Sequence, residues 1–338
     1  MVGTAHPTIS QPQDIQPRQV VLVVVGAAGT AEYTMQFAAW AKLWEQACAK
    51  SNATYMAVGL NEPGASSDRA RIQEILAAQE TEDRGQRTED GTQKAEPSSA
   101  LWLVLIGHGT FDGRTARFNL RGPDLATSDL AEWLKPLRRP VVLINTASSS
   151  APFLTKLSAP GRIVITATKS GLEQNYTRFG QYLAEAIIDP RADLDKDGQT
   201  SLLEAFLSAA HAVEQFYAAA GRLATEHALL DDNGDALGTP ANWFRGIRPV
   251  QKARDDASLD GYRAHQLHLL SSPAEAALPP DLRAKRDQLE LQLMELRDTK
   301  AKFSEEEYFA KLESLLREIA HIYEEADKAG PSSTSNGK

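Results

Sequence analysis

Uninterrupted apolar runs recur along the chain, Val20–Val25, Leu101–Ile106 and Val141–Ile144, and Arg162–Ala167 adds a mostly apolar one. Runs this short and this rich in β-branched residues suit strands that are buried on both faces. Between them the apolar positions return at helical spacing, as in Glu32–Lys50 and Arg69–Gln79, with Tyr55–Val58 reading as a further strand. Phe179–Ile188 and Leu202–Phe216 continue the alternation as helices. Alternating strands and helices predict an α/β fold, a three-layer sandwich whose parallel or mostly parallel sheet is covered on both sides.

Smaller signals refine that frame. Arg114–Leu120 reads as a short β excursion, and Ser128 as the cap of a helix carrying Leu130, Trp133 and Leu134, with Asp129 and Glu132 in its first turn. Residues 81–99 are polar and aperiodic, which predicts an exposed insertion. The pattern breaks down between Trp243 and Leu278, and Leu278-Pro279-Pro280 punctuates a boundary. Leu282–Thr299 and Ser304–Lys328 then predict a C-terminal helical hairpin. Ser304 and Glu307 form a capping box, and Leu289, Leu293 and Leu296 face Leu312, Leu315, Leu316 and Ile319. The expected organisation is a disordered N-terminus (1–18), an α/β domain (19–245), an irregular linker (246–280), the hairpin (281–328) and a disordered tail (329–338).

With 338 residues, 42% of them hydrophobic, the chain is long enough for one large core and an appendage. The net charge of -9 argues against nucleic acid and against anionic membrane as partners. Cys48 is the one cysteine, so neither an intrachain disulfide nor a thiolate cluster is open to the chain. It sits within YTMQFAAWAKLWEQACA, a helical pattern that predicts a buried thiol. The first residues show no signal-peptide pattern and no stretch reaches membrane-spanning length. The default expectation is a soluble, cytoplasmic protein without membrane insertion, or a periplasmic or secreted one if the start site is misplaced.

Candidate chemistry gathers at two strand ends. LWLVLIGHG (Leu101 to Gly109) delivers His108 directly after an apolar run, and PVVLINTASSS (Pro140 to Ser150) delivers Ser148 after a later one. The pair, 40 residues apart, resembles the legumain-type branch of the caspase-like cysteine peptidases, in which the histidine precedes the nucleophile by roughly 50 residues. On that pattern Ala147 matches the family's alanine, Ser148 its cysteine, Ser150 its serine and Ala151 its glycine, while Gly161–Ser170 resembles the strand that carries substrate contacts. The resemblance spans about Val20 to Phe216. It implies that His108 is the acid/base and that the Gly109 amide helps to form an oxyanion hole. It also implies a peptide or protein ligand in the cleft.

The departure at Ser148 changes the chemistry. A thiol is partly ionised near neutrality and intrinsically nucleophilic, whereas an alcohol needs a closely bonded base that a third group orients. Asp112 and Asp124 are near His108 in sequence, but neither is marked as that third group. A degenerate peptidase that binds or regulates is therefore the expectation, with an active hydrolase using Ser148 as the alternative and a calcium-stabilised interaction scaffold as a second. No G-x-S-x-G elbow is present, and Gly26-Ala27-Ala28-Gly29 lacks the middle glycine of a dinucleotide fingerprint, so it reads as a tight strand-to-helix turn.

The most specific local motif is Asp193-Leu-Asp195-Lys-Asp197-Gly198-Gln199-Thr-Ser201-Leu-Leu-Glu204. Oxygen ligands fall at positions 1, 3, 5, 7, 9 and 12, with glycine at 6, the spacing of an EF-hand calcium loop. Asp193, Asp195 and Asp197 offer carboxylates, Gln199 a backbone carbonyl, Ser201 a direct or water-mediated contact, and Glu204 a bidentate carboxylate. The alternative is a solvated acidic turn that caps the next helix. Thr200, where such loops carry an aliphatic residue for pairing, suggests a lone site. Asp231, Asn233 and Asp235 repeat the start of the motif without its glycine or distal glutamate and read as a turn, a second ion site being the alternative. His265 and His268, three apart with no acidic cluster of their own, read as a solvated helix face. The hairpin offers a surface for a protein partner.

Overall fold

The computed structural model describes residues 18–62, 64–85 and 99–329. A seven-stranded sheet runs through the domain in the order β10-β9-β8-β7-β3-β1-β2. Its five parallel strands are β1 (Val20–Val25), β2 (Thr54–Val58), β3 (Leu101–Ile106), β7 (Val141–Asn145) and β8 (Arg162–Thr166). The strands β9 (Leu229–Asp231) and β10 (Thr239–Pro240) add an antiparallel edge beside β8. The fold is the mostly parallel α/β sandwich that the alternation predicts.

Strand periodicity explains the two layers of helices. Along β1, Val21, Val23 and Val25 enter one apolar cluster, while Val20, Leu22 and Val24 enter the other, because successive side chains point to opposite faces. On β3 the same division separates Trp102, Val104 and Ile106 from Leu101, Leu103 and Leu105. The first face is covered by α1 (Ala31–Ser51), α5 (Phe179–Ala186) and α6 (Leu202–Ala219), through Phe37, Trp44, Phe179 and Phe206. The second is covered by α2 (Asp68–Gly85), α3 (Thr127–Leu134) and α4 (Ala151–Leu157), through Ile72, Leu130 and Phe153. Cys48 is buried within α1, and burial pushes its thiol pKa up to about 12, so it is an inert core group.

Between β3 and α3 the expected β excursion is a three-stranded sheet of β4 (Gly109–Phe111), β5 (Ala116–Phe118) and β6 (Leu125–Ala126). Here one expectation is corrected. The cap of α3 is at Ala126 rather than Ser128, and Asp129 reaches back to accept the Ala126 N–H at 3.0 Å while also binding Arg69. The carboxylate serves both the helix start and the contact to α2, which a serine one residue earlier cannot do.

The stretch 246–280 holds more order than a linker. After the small ribbon of β11 (Phe244–Arg245) and β12 (Arg248–Pro249) come α7 (Tyr262–Gln266) and α8 (Pro273–Ala277), and Ala264 and Leu269 join the core beneath α6. The hairpin follows as α9 (Pro280–Asp298) and α10 (Glu305–Ala329), with Ser304 and Glu307 bonded reciprocally. Its inner seam is Leu289 and Ile322 with Leu315 and Ile319, whereas Leu316 points outward, 45% exposed. A straight helix cannot turn two adjacent leucines to one partner. Of the ends expected to be disordered, 1–18 and 329–338, all but Arg18 and Ala329 lie outside the described residues, as does the part of the expected insertion 81–99 from 86 to 98; residues 81–85 continue α2. Among the described residues no helix is long and apolar enough to cross a membrane.

Candidate functional site

The strand order reverses between β1 and β3, because β2 leaves β1 on one side and the chain then crosses back to β3 on the other. Open α/β sheets place ligands in the crevice beyond the carboxyl ends of strands at such a point. Gly26-Ala27-Ala28-Gly29 leaves β1 there, and Gly107-His108-Gly109 leaves β3. The two turns are close enough that a Cβ on Gly107 would come within 3.2 Å of the Gly26 Cα. Ser148 follows β7, which pairs directly with β3, so histidine and serine emerge from neighbouring strands at the same end of the sheet.

The histidine is held by rings and one hydrogen bond. Its Nε2–H donates to the Ala28 carbonyl at 3.3 Å, and the imidazole lies edge-on to Tyr33 and Phe37, with centroids 4.8 and 5.2 Å away, and 6.1 Å from Tyr176. Burial depresses the His108 pKa below its ordinary value, against a smaller opposing effect of the Ala28 bond. Neither nearby aspartate faces it. Asp112 is occupied by the Arg114 and Thr115 amides and by Arg117, and Asp124 accepts from the Leu120 amide.

The serine is bonded elsewhere. Ser148 Oγ donates to the Gly109 carbonyl at 3.1 Å and accepts from the Gly109 N–H at 3.3 Å. The amide expected in an oxyanion hole is therefore engaged by the serine itself. Ser149 adopts a φ of 54°, and its amide donates to the Glu173 carbonyl at 2.8 Å. Ser150 and Thr168 exchange hydroxyl contacts at 3.1 Å, tying the turn to the end of β8.

Three residues that no local signal marked complete the rim. Glu173 accepts from the Lys169 amide at 3.0 Å and meets His227 Nδ1 at 2.5 Å. Glu226 accepts the Arg178 and Phe179 amides and thereby caps α5 from a segment 47 and 48 residues away. Beyond the Glu173–His227 pair lies a cavity of about 400 Å³ lined by Lys169, Phe179, Val213, His227 and Trp243. Leu172, 77% exposed, stands between Gly171, packed on Phe111, and Glu173.

The acidic loop is a second centre. Carboxylate oxygens of Asp193, Asp195 and Asp197 lie within 4.8 Å of one another. Gly198 makes the turn at φ 92°, with its amide on Asp193 Oδ2 at 3.2 Å. Glu204 is buried below: Oε1 accepts from the Leu194 and Asp195 amides and Oε2 from the amide and hydroxyl of Ser201. Ser201 thus caps α6 instead of reaching toward the three aspartates. Burial, reinforced by Glu204 and Asp197, raises the Asp195 pKa. The Gln199 side chain accepts the Ser272 amide at 2.9 Å.

The loop is paired, and the histidines are not a solvated face. Ser201 forms an antiparallel bridge with His268, and the Leu202 amide donates to the Leu267 carbonyl at 2.8 Å. His265 sits between Asp195 (3.4 Å) and the Ser201 hydroxyl (3.3 Å). His268 Nε2 is buried without a hydrogen-bond partner among the described residues. The pairing partner is a segment from after β12, which the loop's own sequence does not reveal. Asp231, Asn233 and Asp235 instead accept amides of Gly234, Asp235 and Leu237, the geometry of successive turns.

No family model matches the sequence, and no curated protein matches it. Among solved structures the chain is similar to the initiator caspase Dronc of Drosophila, at 15% identity over 69% of this chain and 93% of that one, with a TM-score of 0.39. It is also similar to caspase-1 of Spodoptera frugiperda, at 8% identity over 68% and 94% of the two chains, with a TM-score of 0.41. At these scores neither likeness bears on chemistry.

Proposed function

We propose that the domain is a degenerate relative of the caspase- and legumain-type peptidases. It binds a peptide or protein segment at the His108–Ser148 cleft without cleaving it, and it holds calcium at Asp193–Glu204. The observation that carries this reading is the separate bonding of the two residues, Ser148 to Gly109 and His108 to Ala28. A serine becomes a nucleophile through a base that takes its proton and an orienting group behind that base. Here the imidazole Nε2 proton is directed at a carbonyl, and no carboxylate contacts the ring among the described residues. Binding is supported by the exposed Leu172 and by the apolar recess beyond His227, which has room for a large side chain.

Calcium is supported by the three converging carboxylates, the left-handed glycine and the buried Glu204. Gln199 contributes its carbonyl on this reading, and Ser201 serves mainly to position Glu204.

The test is hydrolysis of a broad peptide library by the parent chain, Ser148→Ala and Ser148→Cys, with and without calcium. The expected result is no turnover by the parent or by Ser148→Ala. Turnover by the parent that vanishes in Ser148→Ala overturns the reading in favour of an active serine hydrolase.

A further inference from the structure

The last helix has two apolar faces, and among the described residues only one of them is covered. Tyr308, Leu315, Ile319 and Ile322 turn inward toward α9. On the adjoining outer face Phe309, Leu316 and Tyr323 are 50%, 45% and 47% exposed, each seven residues from the next. Leu312 and Ala320 fill the positions between them, so the stripe has the repeat by which one helix receives another. It extends across most of a 25-residue helix, which is about 37 Å long at the usual rise.

Charge selects the occupant. Glu306, Glu313 and Glu324 flank the stripe, and α10 as a whole carries eight acidic residues against three basic ones. Arg317, the basic group on that flank, is already tied to Glu313 at 2.6 Å. At its C-terminal end the stripe opens through Tyr323 and Ala326 into a cavity of about 610 Å³ whose walls include Glu275 and Glu290. Arg286 in that cavity is held by Glu275 and Asp287. A second copy of this helix would set one acidic flank against another. A helix with basic flanks would meet complementary charge along the whole contact.

We propose that the Phe309–Leu316–Tyr323 face of α10 is a docking surface for an amphipathic helix of a partner protein whose apolar stripe is bordered by lysine and arginine. The reading is independent of the cleft and of the acidic loop, since neither supplies the stripe.

The probes are two labelled amphipathic peptides of about three heptads. They share one leucine/isoleucine stripe and carry either basic or acidic flanks. Fluorescence anisotropy with the full chain is expected to show binding of the basic peptide alone, weakening as salt rises. Leu316→Glu is expected to weaken binding by about tenfold or more while leaving the melting temperature unchanged, because the side chain is exposed. The triple variant Glu306→Lys, Glu313→Lys and Glu324→Lys is expected to shift the preference to the acidic peptide. Failure of the basic peptide to bind, equal binding of both peptides, or indifference to Leu316→Glu overturns the proposal. Sedimentation of the peptide-free chain as a dimer that Leu316→Glu dissolves overturns it too, in favour of a second copy as the occupant.

Discussion

Ser148 and Gly109 satisfy each other: the hydroxyl donates to the glycine carbonyl and accepts from its amide, at 3.1 and 3.3 Å. The contact depends on the missing side chain. A Cβ at position 109 would collide with the Ser148 carbonyl oxygen, which belongs to the strand-end turn rather than to a flexible side chain. Gly109→Ala is therefore expected to destabilise the fold by about 1–3 kcal/mol, as overpacking against backbone does. Chemical denaturation is the measurement, and a variant as stable as the parent would show that the two loops separate at little cost.

Calcium is expected to raise the melting temperature of the parent, and magnesium to do so less. Binding to the native state alone stabilises by about 2.7 kcal/mol at a hundredfold excess over the dissociation constant. Asp193→Asn and Glu204→Gln should each remove most of the shift, the first by withdrawing a ligand charge and the second by replacing the distal carboxylate with an amide. If chelator and calcium give the same melting curve, or all chains shift equally, the loop is only a turn.

His108 is expected to titrate below 6.5 in the folded protein, as burial disfavours the imidazolium. The sign follows for stability. A depressed folded pKa means that the histidine's contribution is present above the unfolded value and lost as pH falls through and below it. Imidazole chemical shifts followed by NMR between about pH 4 and 8, around the ordinary histidine value, check this. A midpoint above the ordinary value would mean that a carboxylate reaches the ring and would reopen the catalytic reading.

Asp260 is buried beside Asp232, and burial together with that neighbouring carboxylate raises its pKa to about 8. Its oxygens accept the Asp232 amide and the Thr239 hydroxyl, so the pair is built into the junction of β9 with α7. A folded pKa above the unfolded one means that stability is fully present below the unfolded value and lost as pH rises through the folded one. The contribution of this group to the melting temperature is expected to decline from about pH 4, the ordinary aspartate value, to about pH 8 and to level off above it, and Asp260→Asn to flatten that decline. An equally steep decline in the variant would place the sensitivity elsewhere.

Much of the sandwich was legible because its signals are local. Val20–Val25 and Leu101–Ile106 are continuous apolar strands whose alternate residues enter opposite clusters, and α1 starts and stops within a residue of where its spacing does, whereas α2 runs six residues beyond its own. His108 and Ser148 could be singled out because they follow such runs. Glu173, Glu226 and His227 could not, since the contacts that bring them to the rim, Glu173 with Ser149 and His227 and Glu226 with Arg178, span 24 to 54 residues and no short pattern encodes them. The assignment of α3's cap to Ser128 missed for a related reason, as Asp129 is drawn to Ala126 while also serving Arg69, 60 residues earlier.

By itself the sequence determined the alternation of buried strands and amphipathic helices, the spacing of oxygen donors from Asp193 to Glu204, and the placing of His108 and Ser148 just beyond apolar runs. These are properties of periodicity and residue type, which the chain carries wherever it lies. Only the tertiary structure decided where those groups bond. His108 turns to Ala28 and Ser148 to Gly109 because β1, β3 and β7 end side by side, and the acidic loop is paired because the segment around His268 packs beneath α6. A hydroxyl or a carboxylate takes whichever partner packing brings within about 3 Å, and that neighbour is set by strand order rather than by distance along the chain.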